Sequence, residues 1–163
     1  MHIKAWMLAA ALTLGPAVAA HADGSLLDRA HQRLGQGVAL VVQGRHAEAE
    51  KPLRQALRDD PELREAHYNL GVALRAQGRF DEAVAEYDRA LALTAADDEP
   101  ARARCLYGAA LAREARGDHD AWDRYLAYAR PFRAERPSVE VALAHRDALN
   151  GVKVPGGAQK AAR

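Results

Sequence analysis

The chain repeats itself with a period of 34 residues, and this repeat constrains the fold more than any other feature. Residues 64–97 form one complete unit, and residues 30–63 carry the same skeleton of small and apolar positions. Identical residues stand 34 positions apart at Gly37 and Gly71, Gly44 and Gly78, Ala49 and Ala83, Ala56 and Ala90, and Leu57 and Leu91. Such a period indicates stacked supersecondary units rather than one closed globular core.

Each half of the better-formed unit has the periodicity of an amphipathic helix. Small and apolar residues recur at helical spacing within 64–77 and again within 81–93. Gly78 lies between them, where a glycine readily adopts the left-handed conformation that ends a helix. We expect the side chain of Asp81 to cap the second helix. The pattern predicts a helix–turn–helix unit whose apolar stripe is covered by the next unit.

A third, degraded unit follows at about 103–136. Its inter-helix glycine, Gly117, stands 39 residues after the equivalent glycine of the second unit, which indicates an insertion near 94–100. Two registers of its second helix are open: one places Trp122 at the small position, and the other places Ala121 there. Terminal repeats are commonly atypical because one side faces solvent.

The segment after the repeats divides into a helix and a tail. Residues 138–150 form a sparse amphipathic helix, with Ser138 as N-cap and Gly151 as stop, which we interpret as a cap over the last repeat. Residues 151–163 are rich in Gly, Ala and Lys and lack apolar periodicity. We predict that this tail is disordered.

Residues 1–22 have the pattern of a secretory signal peptide. A basic start at Lys4 precedes a short apolar stretch, and small residues follow. We expect cleavage after Ala22, with cleavage after Ala19 as the alternative. The apolar stretch is too short for a membrane anchor, since a spanning helix needs about 20 apolar residues. Residues 23–29 would form a lead-in, and the protein would be exported to the periplasm of a Gram-negative bacterium.

Charge and cysteine content argue against several classes of function. Removal of residues 1–22 takes away one lysine and no acid, so the formal charge falls from +1 to 0. A neutral chain is a poor partner for nucleic acid, because phosphate binding needs a cationic excess. Cys105 is the single cysteine, so no internal disulfide can form. Its register on a helix predicts a buried, unreactive thiol, and a reactive thiol beside Arg102 and Arg104 is the alternative.

The sequence contains no pattern typical of a catalytic or metal site. No two histidines of residues 23–163 are three or four positions apart, the spacing that a helical metal site requires. The serines lack the pattern of a nucleophile elbow, and the glycines are spaced for helix packing rather than for phosphate binding. We therefore expect no enzymatic activity, no cofactor and no bound metal.

The second unit resembles a tetratricopeptide (TPR) repeat. The residues that carry the resemblance are Leu70, Gly71, Gly78, Phe80, Ala83, Tyr87, Ala90 and Leu91. The first unit keeps Gly37, Leu40, Gly44, Ala49, Leu53, Ala56, Leu57 and Pro61, and departs from the family at Gln36 and His46. The resemblance implies an all-α, right-handed superhelical stack of about three helix–turn–helix repeats over residues 30–150, ending in the capping helix.

The resemblance also implies a binding surface. In this family the first helices of successive units line a concave groove that takes an extended peptide or a partner's helix. Carried over by position, the groove residues are Leu34, Val38, Val41, Val42, Glu65, Tyr68, Asn69, Val72, Arg75, Arg104, Tyr107 and Leu111. This mixture suits a peptide with an apolar anchor. Alternatively, residues 23–29 or a second copy of the protein cover the apolar face of the first unit.

A carboxylate clamp of the kind that some TPR proteins use is not expected. Asn69 and Arg104 match two of its positions. Leu34, Val38 and Gly108, however, stand where that clamp needs Lys, Asn and Arg.

We predict from these features a non-enzymatic interaction scaffold or adaptor of the bacterial cell envelope, which binds a peptide or a helix of a partner protein. Two alternatives stay open. One is an accessory subunit or cryptic enzyme component of an envelope assembly. The other is a structural protein that self-associates as a homo-oligomer.

Overall fold

The structure is a computed structural model that describes residues 16–131 and 138–151, with side chains from residue 24 onward. Within those ranges it consists of seven α-helices and contains no strand. The helices are α1 (Pro16–Val42), α2 (His46–Asp59), α3 (Arg64–Ala76), α4 (Phe80–Ala92), α5 (Glu99–Arg116), α6 (Asp123–Ala129) and α7 (Ser138–Leu149). The predicted all-α stack of helical repeats is therefore confirmed.

The helices pack as consecutive hairpins in two layers. Helix α1 packs on α2 and α3 packs on α4, while α2 also contacts α3 and α4 contacts α5. The first helices of the three units, α1, α3 and α5, contact one another in succession and so form one layer. Because each hairpin contacts only its neighbours, its apolar face is completed by the next unit rather than by a central core.

Small residues on one helix receive large side chains from the next, and this pairing builds the core of the first two units. Ala49 and Ala83 are fully buried in one cluster with Leu53, Leu70 and Tyr87. Glycines on the first helices have no side chains, so Leu53 packs closely against Gly37 and Tyr87 packs closely against Gly71 and Gly108. The repeated positions of the sequence are therefore the points where neighbouring helices touch.

Glycines close the first helices of the units, as predicted. Gly78 follows α3 with a φ of +77°, and Gly44 and Gly117 adopt the same left-handed conformation after α1 and α5. The predicted cap of α4 is wrong, because the helix begins one residue before Asp81 and its cap position has no side-chain hydrogen bond. Asp81 instead accepts a hydrogen bond from Arg116 of the next unit.

The third unit departs from the first two in both of its helices. Helix α5 is capped by Asp98, whose carboxylate accepts a hydrogen bond from the backbone amide of Ala101 at 3.1 Å. Helix α6 begins only at Asp123, and both Ala121 and Trp122 are buried in the turn before it. The two predicted registers place either Trp122 or Ala121 at the small position within the helix. Neither register is realised in full, because α6 begins after both residues.

Helix α7 covers the third unit as the predicted capping helix. Its buried residues Val139 and Ala142 share a cluster with Trp122. The hydroxyl oxygens of Tyr125 and Ser138 lie 2.6 Å apart, which ties the start of α7 to α6. The end of the stack is thereby closed by an apolar contact and a hydrogen bond.

Helix α1 extends beyond the first repeat. It runs without a break over Pro16–Val42, so residues 23–29, which we predicted as a lead-in, lie on the same helix as the first repeat. They therefore do not fold back over the apolar positions of the first unit. Residues 1–15 of the predicted signal peptide, 132–136 of the predicted third repeat and 152–163 of the predicted tail lie outside the described residues.

Candidate functional site

A cleft of about 400 Å³ lies between α3 and α5, in the layer formed by the first helices. We call it the central cleft. Helix α4 contributes to its floor, and α6 and the start of α7 contribute to one end. Its lining residues are Tyr68, Val72, Arg75, Tyr87, Ala103, Arg104, Tyr107, Gly108, Leu111, Tyr125 and Ser138.

A smaller cavity of about 210 Å³ adjoins the central cleft and shares Tyr68 and Arg104 with it. We call it the side cavity. Its one acidic lining residue, Glu65, forms an ion pair with the neighbouring Arg64. The amide nitrogen of Asn69 donates to the backbone carbonyl oxygen of Glu65 at 2.7 Å. The carboxylate of Glu65 and the amide of Asn69 are thus already engaged within α3.

Tyr87 forms the floor of the central cleft because two glycines leave room for its ring. A Cβ atom would lie 3.0 Å from Tyr87 Cδ1 if placed on Gly71 and 2.7 Å from Tyr87 Cε1 if placed on Gly108. Tyr68 packs edge-on against Tyr87, with ring centroids 5.7 Å apart. Burial raises the pKa of Tyr87 to about 12, although the nearby Arg75 opposes this shift. The ring is therefore neutral near pH 7.

A second group of rings forms the end of the cleft nearest α6. Tyr107 lies edge-on to Trp122 and to Tyr125, with ring centroids 5.2 and 5.3 Å apart. The indole Nε1 of Trp122 donates to the carboxylate of Glu114 at 2.9 Å, and Nδ1 of His145 contacts the same carboxylate at 2.8 Å. These contacts hold the wall behind Tyr107 in place.

Two arginines give the central cleft its charge. Arg75 is half-buried, and its Nε atom is buried without a hydrogen-bond partner. The guanidinium carbon of Arg104 lies 5.9 Å from the centroid of the Tyr68 ring, a cation–π distance. Neither arginine forms an ion pair with any residue that the structure describes. The cleft is an aromatic surface that carries positive charge.

Cys105 borders the side cavity, but its side chain is buried. The residue is 3% exposed, and its thiol is free. Burial raises the pKa of the thiol, although Thr94 and the nearby arginines lower it in part. The thiolate is the reactive form of cysteine, so the structure confirms the predicted burial and disfavours a reactive role.

The structure brings the predicted groove residues of the second and third units together around the two cavities. These residues are Glu65, Tyr68, Asn69, Val72, Arg75, Arg104, Tyr107 and Leu111. The predicted first-unit residues do not line either cavity. Leu34 and Val41 pack in part against the core, Val38 is half-buried, and Val42 is 81% exposed at the end of α1.

Five lining residues of the central cleft were not predicted from the sequence: Tyr87, Ala103, Gly108, Tyr125 and Ser138. Tyr87 has the sequence position of a helix-packing core residue, and it reaches the cleft because Gly108 has no side chain to cover it. Tyr125 and Ser138 reach the cleft only through the packing of α6 and α7 on α5. Gly108, a glycine that is not part of the repeated pattern, was the one sequence signal that could have indicated the opening of the cleft above Tyr87.

The described residues show neither a candidate metal site nor a membrane-spanning helix. Among residues 16–131 and 138–151, no group of three or more His, Cys, Asp or Glu side chains could hold a metal ion. No helix in the described part of the chain is long and apolar enough to cross a membrane.

Residues 34–100 match the family model of the tetratricopeptide repeat. The match includes α2, α3 and α4 completely and ends at the start of α5. No curated protein matches the chain. Tetratricopeptide repeats generally mediate protein–protein interaction. The helical hairpins, the small residues at their contacts and the family match agree that residues 34–100 consist of tetratricopeptide repeats.

Proposed function

We propose that this protein is a non-enzymatic scaffold that binds a peptide or a helix of a partner protein in its central cleft. The observation that carries the proposal is the lining of the cleft. Tyr68 and Tyr107 present aromatic faces, Val72 and Leu111 add apolar surface, and Arg104 borders it. Tyrosine and arginine are enriched among the residues that contribute most to protein–protein binding.

The size of the cleft suits the side chains of a peptide. Its volume of about 400 Å³ falls within the range of about 300–1,000 Å³ that is typical of ligand pockets. Helices α3 and α5 both contribute to its walls, so an extended segment or a helix can lie between them with its anchor side chains in the cleft.

Affinity capture from the cell envelope tests this proposal. The double variant Tyr68→Ala, Arg104→Ala removes the ring and the charge that separate the two cavities. Arg89→Ala is the matched control, because Arg89 is exposed on α4 and lines neither cavity. We expect the double variant to lose partners that the wild type and the control retain. An unchanged set of partners, with the variant shown to be folded by circular dichroism, would count against binding in the cleft.

We infer that the protein acts in the cell envelope, in the periplasm of a Gram-negative bacterium, because residues 1–22 have the pattern of a secretory signal peptide. Cleavage after Ala22 would leave the repeats intact, with α1 beginning at Asp23. N-terminal sequencing of the chain from a periplasmic fraction should find Asp23, or Ala20 for the alternative cleavage. A chain that keeps Met1 and stays in the cytoplasmic fraction would contradict export.

Self-association is a second candidate function, and the apolar side of α1 favours it. Leu27 is 47% exposed and Val42 is 81% exposed. Helical spacing places both on the same side of α1 as Leu34 and Val38. Light scattering over a range of concentrations should show a dimer that Val42→Ser weakens. A strict monomer at high concentration would exclude this candidate.

A further inference from the structure

We propose that the central cleft binds a carboxylate group of its partner, an aspartate or glutamate side chain of the bound peptide, on Arg75 with Arg104 beside it. The inference rests on the proposed function and specifies which peptides the cleft selects. Three properties of the cleft support it: the incomplete hydrogen bonding of Arg75, the positive charge of Arg75 and Arg104, and the aromatic rings that surround them.

Arg75 has an incomplete set of hydrogen bonds. Its Nε atom is buried without an acceptor, and its guanidinium is close enough to the hydroxyl of Tyr87 to lower the pKa of that group in part. Buried donors in proteins nearly always have acceptors. A guanidinium presents five N–H donors in a fork that matches the two oxygens of a carboxylate. A carboxylate that enters the cleft would accept hydrogen bonds from the part of the Arg75 guanidinium that lines it.

Among the residues that the structure describes, no acid forms an ion pair with Arg75 or Arg104. Other arginines of the described helices are held by carboxylates, as in the contact of 2.9 Å between Arg113 and Asp88. The residues that line the central cleft, in contrast, include no Asp or Glu. Arg75 and Arg104 therefore leave positive charge on a surface that is otherwise aromatic and apolar.

The surroundings of Arg75 strengthen its attraction for an acid. Burial raises the pKa of Tyr68 and of Tyr107, so both rings are neutral and do not compete with a bound carboxylate. Ion pairs and hydrogen bonds are stronger where water is partly excluded. Val72 and Leu111 line the same cleft, so the preferred ligand combines an acidic side chain with a neighbouring apolar side chain.

The site shares Arg104 with the carboxylate clamp, but its principal donor, Arg75, is different. That clamp would use Asn69, whose amide nitrogen here donates to the backbone carbonyl oxygen of Glu65 at 2.7 Å. Arg75 is not one of the positions at which the chain was compared with the clamp. The principal donor of the site is therefore a groove residue that lies outside the clamp.

Charge complementarity selects a partner rather than the tail of this chain as the occupant. Residues 152–163 contain Lys153, Lys160 and Arg163 and no acidic side chain. Like charges repel, so this segment is disfavoured beside Arg75 and Arg104.

Selection from a phage-displayed library of random peptides tests the proposal with the full chain as bait. Peptides selected by the wild type should share an Asp or Glu next to an apolar residue. This preference should disappear with Arg75→Gln and weaken with Arg104→Gln. It should persist with Arg89→Gln, a matched control at an exposed arginine outside both cavities.

A synthetic copy of the most enriched peptide gives the quantitative test. Replacing its acidic residue by the corresponding amide should weaken binding to the wild type by about tenfold or more, and binding to Arg75→Gln by less than about twofold. Because Arg104 is exposed, Arg104→Gln offers a second variant that is not expected to disturb folding.

The outcomes separate this inference from the proposed function. If the wild type selects no peptide at all, peptide binding itself fails, and the inference fails with it. If it selects peptides without an acid, or if the acid-to-amide change is equally costly in Arg75→Gln, the inference alone is overturned. Tighter binding of a synthetic peptide of residues 152–163 than of any acidic peptide would also overturn it.

Discussion

The ring of Tyr87 occupies the space that a side chain at position 108 would need. A Cβ atom on Gly108 would lie 2.7 Å from Tyr87 Cε1, closer than two carbon atoms can approach without displacement. This contact joins α4 of the second unit to α5 of the third, and it is also the floor of the central cleft. The packing of the repeats and the shape of the candidate binding surface therefore depend on the same two residues.

Gly108→Ala should destabilise the protein. The added methyl group must displace the Tyr87 ring, which is also confined by Gly71. Overpacking of this kind costs about 1–3 kcal/mol, and the higher helix propensity of alanine returns up to about 1 kcal/mol. Urea unfolding should show a net loss in the free energy of unfolding.

Gly35→Ala is the matched control for this change. Gly35 lies within α1, and an added Cβ atom would meet nothing within 4 Å. The control should be as stable as the wild type or more stable, by up to about 1 kcal/mol. If both variants gained stability equally, the tight contact between Tyr87 and Gly108 would be refuted.

Glu114→Ala should loosen the capping helix. The carboxylate of Glu114 accepts from the buried Trp122 indole at 2.9 Å and contacts His145 of α7 at 2.8 Å. A buried donor left without a partner costs about 1–3 kcal/mol, so the free energy of unfolding should fall and the near-ultraviolet circular dichroism should change. Glu62→Ala, at an exposed turn residue, should stay within about 0.5 kcal/mol of the wild type. Equal effects of the two changes would exclude this role of Glu114.

The ion pairs of Glu50 should make stability depend on pH. Its carboxylate accepts from Arg54 at 2.8 Å and from Arg79 at 2.6 Å. Burial raises the pKa of Glu50, but the two arginines lower it more, so that it lies below the ordinary value of 4.5. A pKa that is lower in the folded chain stabilises the protein above the unfolded pKa, and this contribution is lost as the pH falls through the folded pKa.

The corresponding measurement compares the wild type with Glu50→Gln by urea unfolding. At pH 7 the variant should be less stable by about 1 kcal/mol. The difference should shrink as the pH falls through the folded pKa of Glu50, which lies below 4.5. A difference that stays constant over this range would show that the charge of Glu50 does not contribute.

Cys105 should react slowly with thiol reagents in the folded protein. The residue is 3% exposed, and burial raises the pKa of its thiol, so the reactive thiolate is scarce. Labelling should be slow in buffer at pH 7 and fast after denaturation in urea. Rapid, complete labelling of the folded chain would contradict the buried position.

The repeated small residues predicted most of the fold because they mark contacts between neighbouring helices. Ala49 and Ala83, which stand 34 positions apart, are both fully buried where helices pack. Predictions of helix caps from the local sequence were less reliable. Asp81 has the residue type of a helix cap, yet it pairs with Arg116 from the next unit, and this long-range contact is not visible in the local sequence.

The candidate site was predictable only where the repeat pattern is regular. Tyr68 and Arg75 lie on α3, so their positions follow from the helical register. Tyr125 and Ser138 line the cleft because α6 and α7 pack against its end. The starts of these two helices do not follow the 34-residue spacing of the repeat. The opening of the cleft above Tyr87 could not be predicted without knowing that α5 packs over this ring at Gly108.

Photo-crosslinking in living cells tests the central claim, that the cleft between α3 and α5 binds a partner protein, most directly. A photoreactive amino acid replaces Val72 on α3 or Leu111 on α5, both of which line the central cleft. The control position is Ala85, which is exposed on α4 and lines neither cavity. We predict that positions 72 and 111 crosslink to the same segment of one partner protein and that position 85 does not. Crosslinks that are absent at both cleft positions, or equally strong at position 85, would contradict the claim.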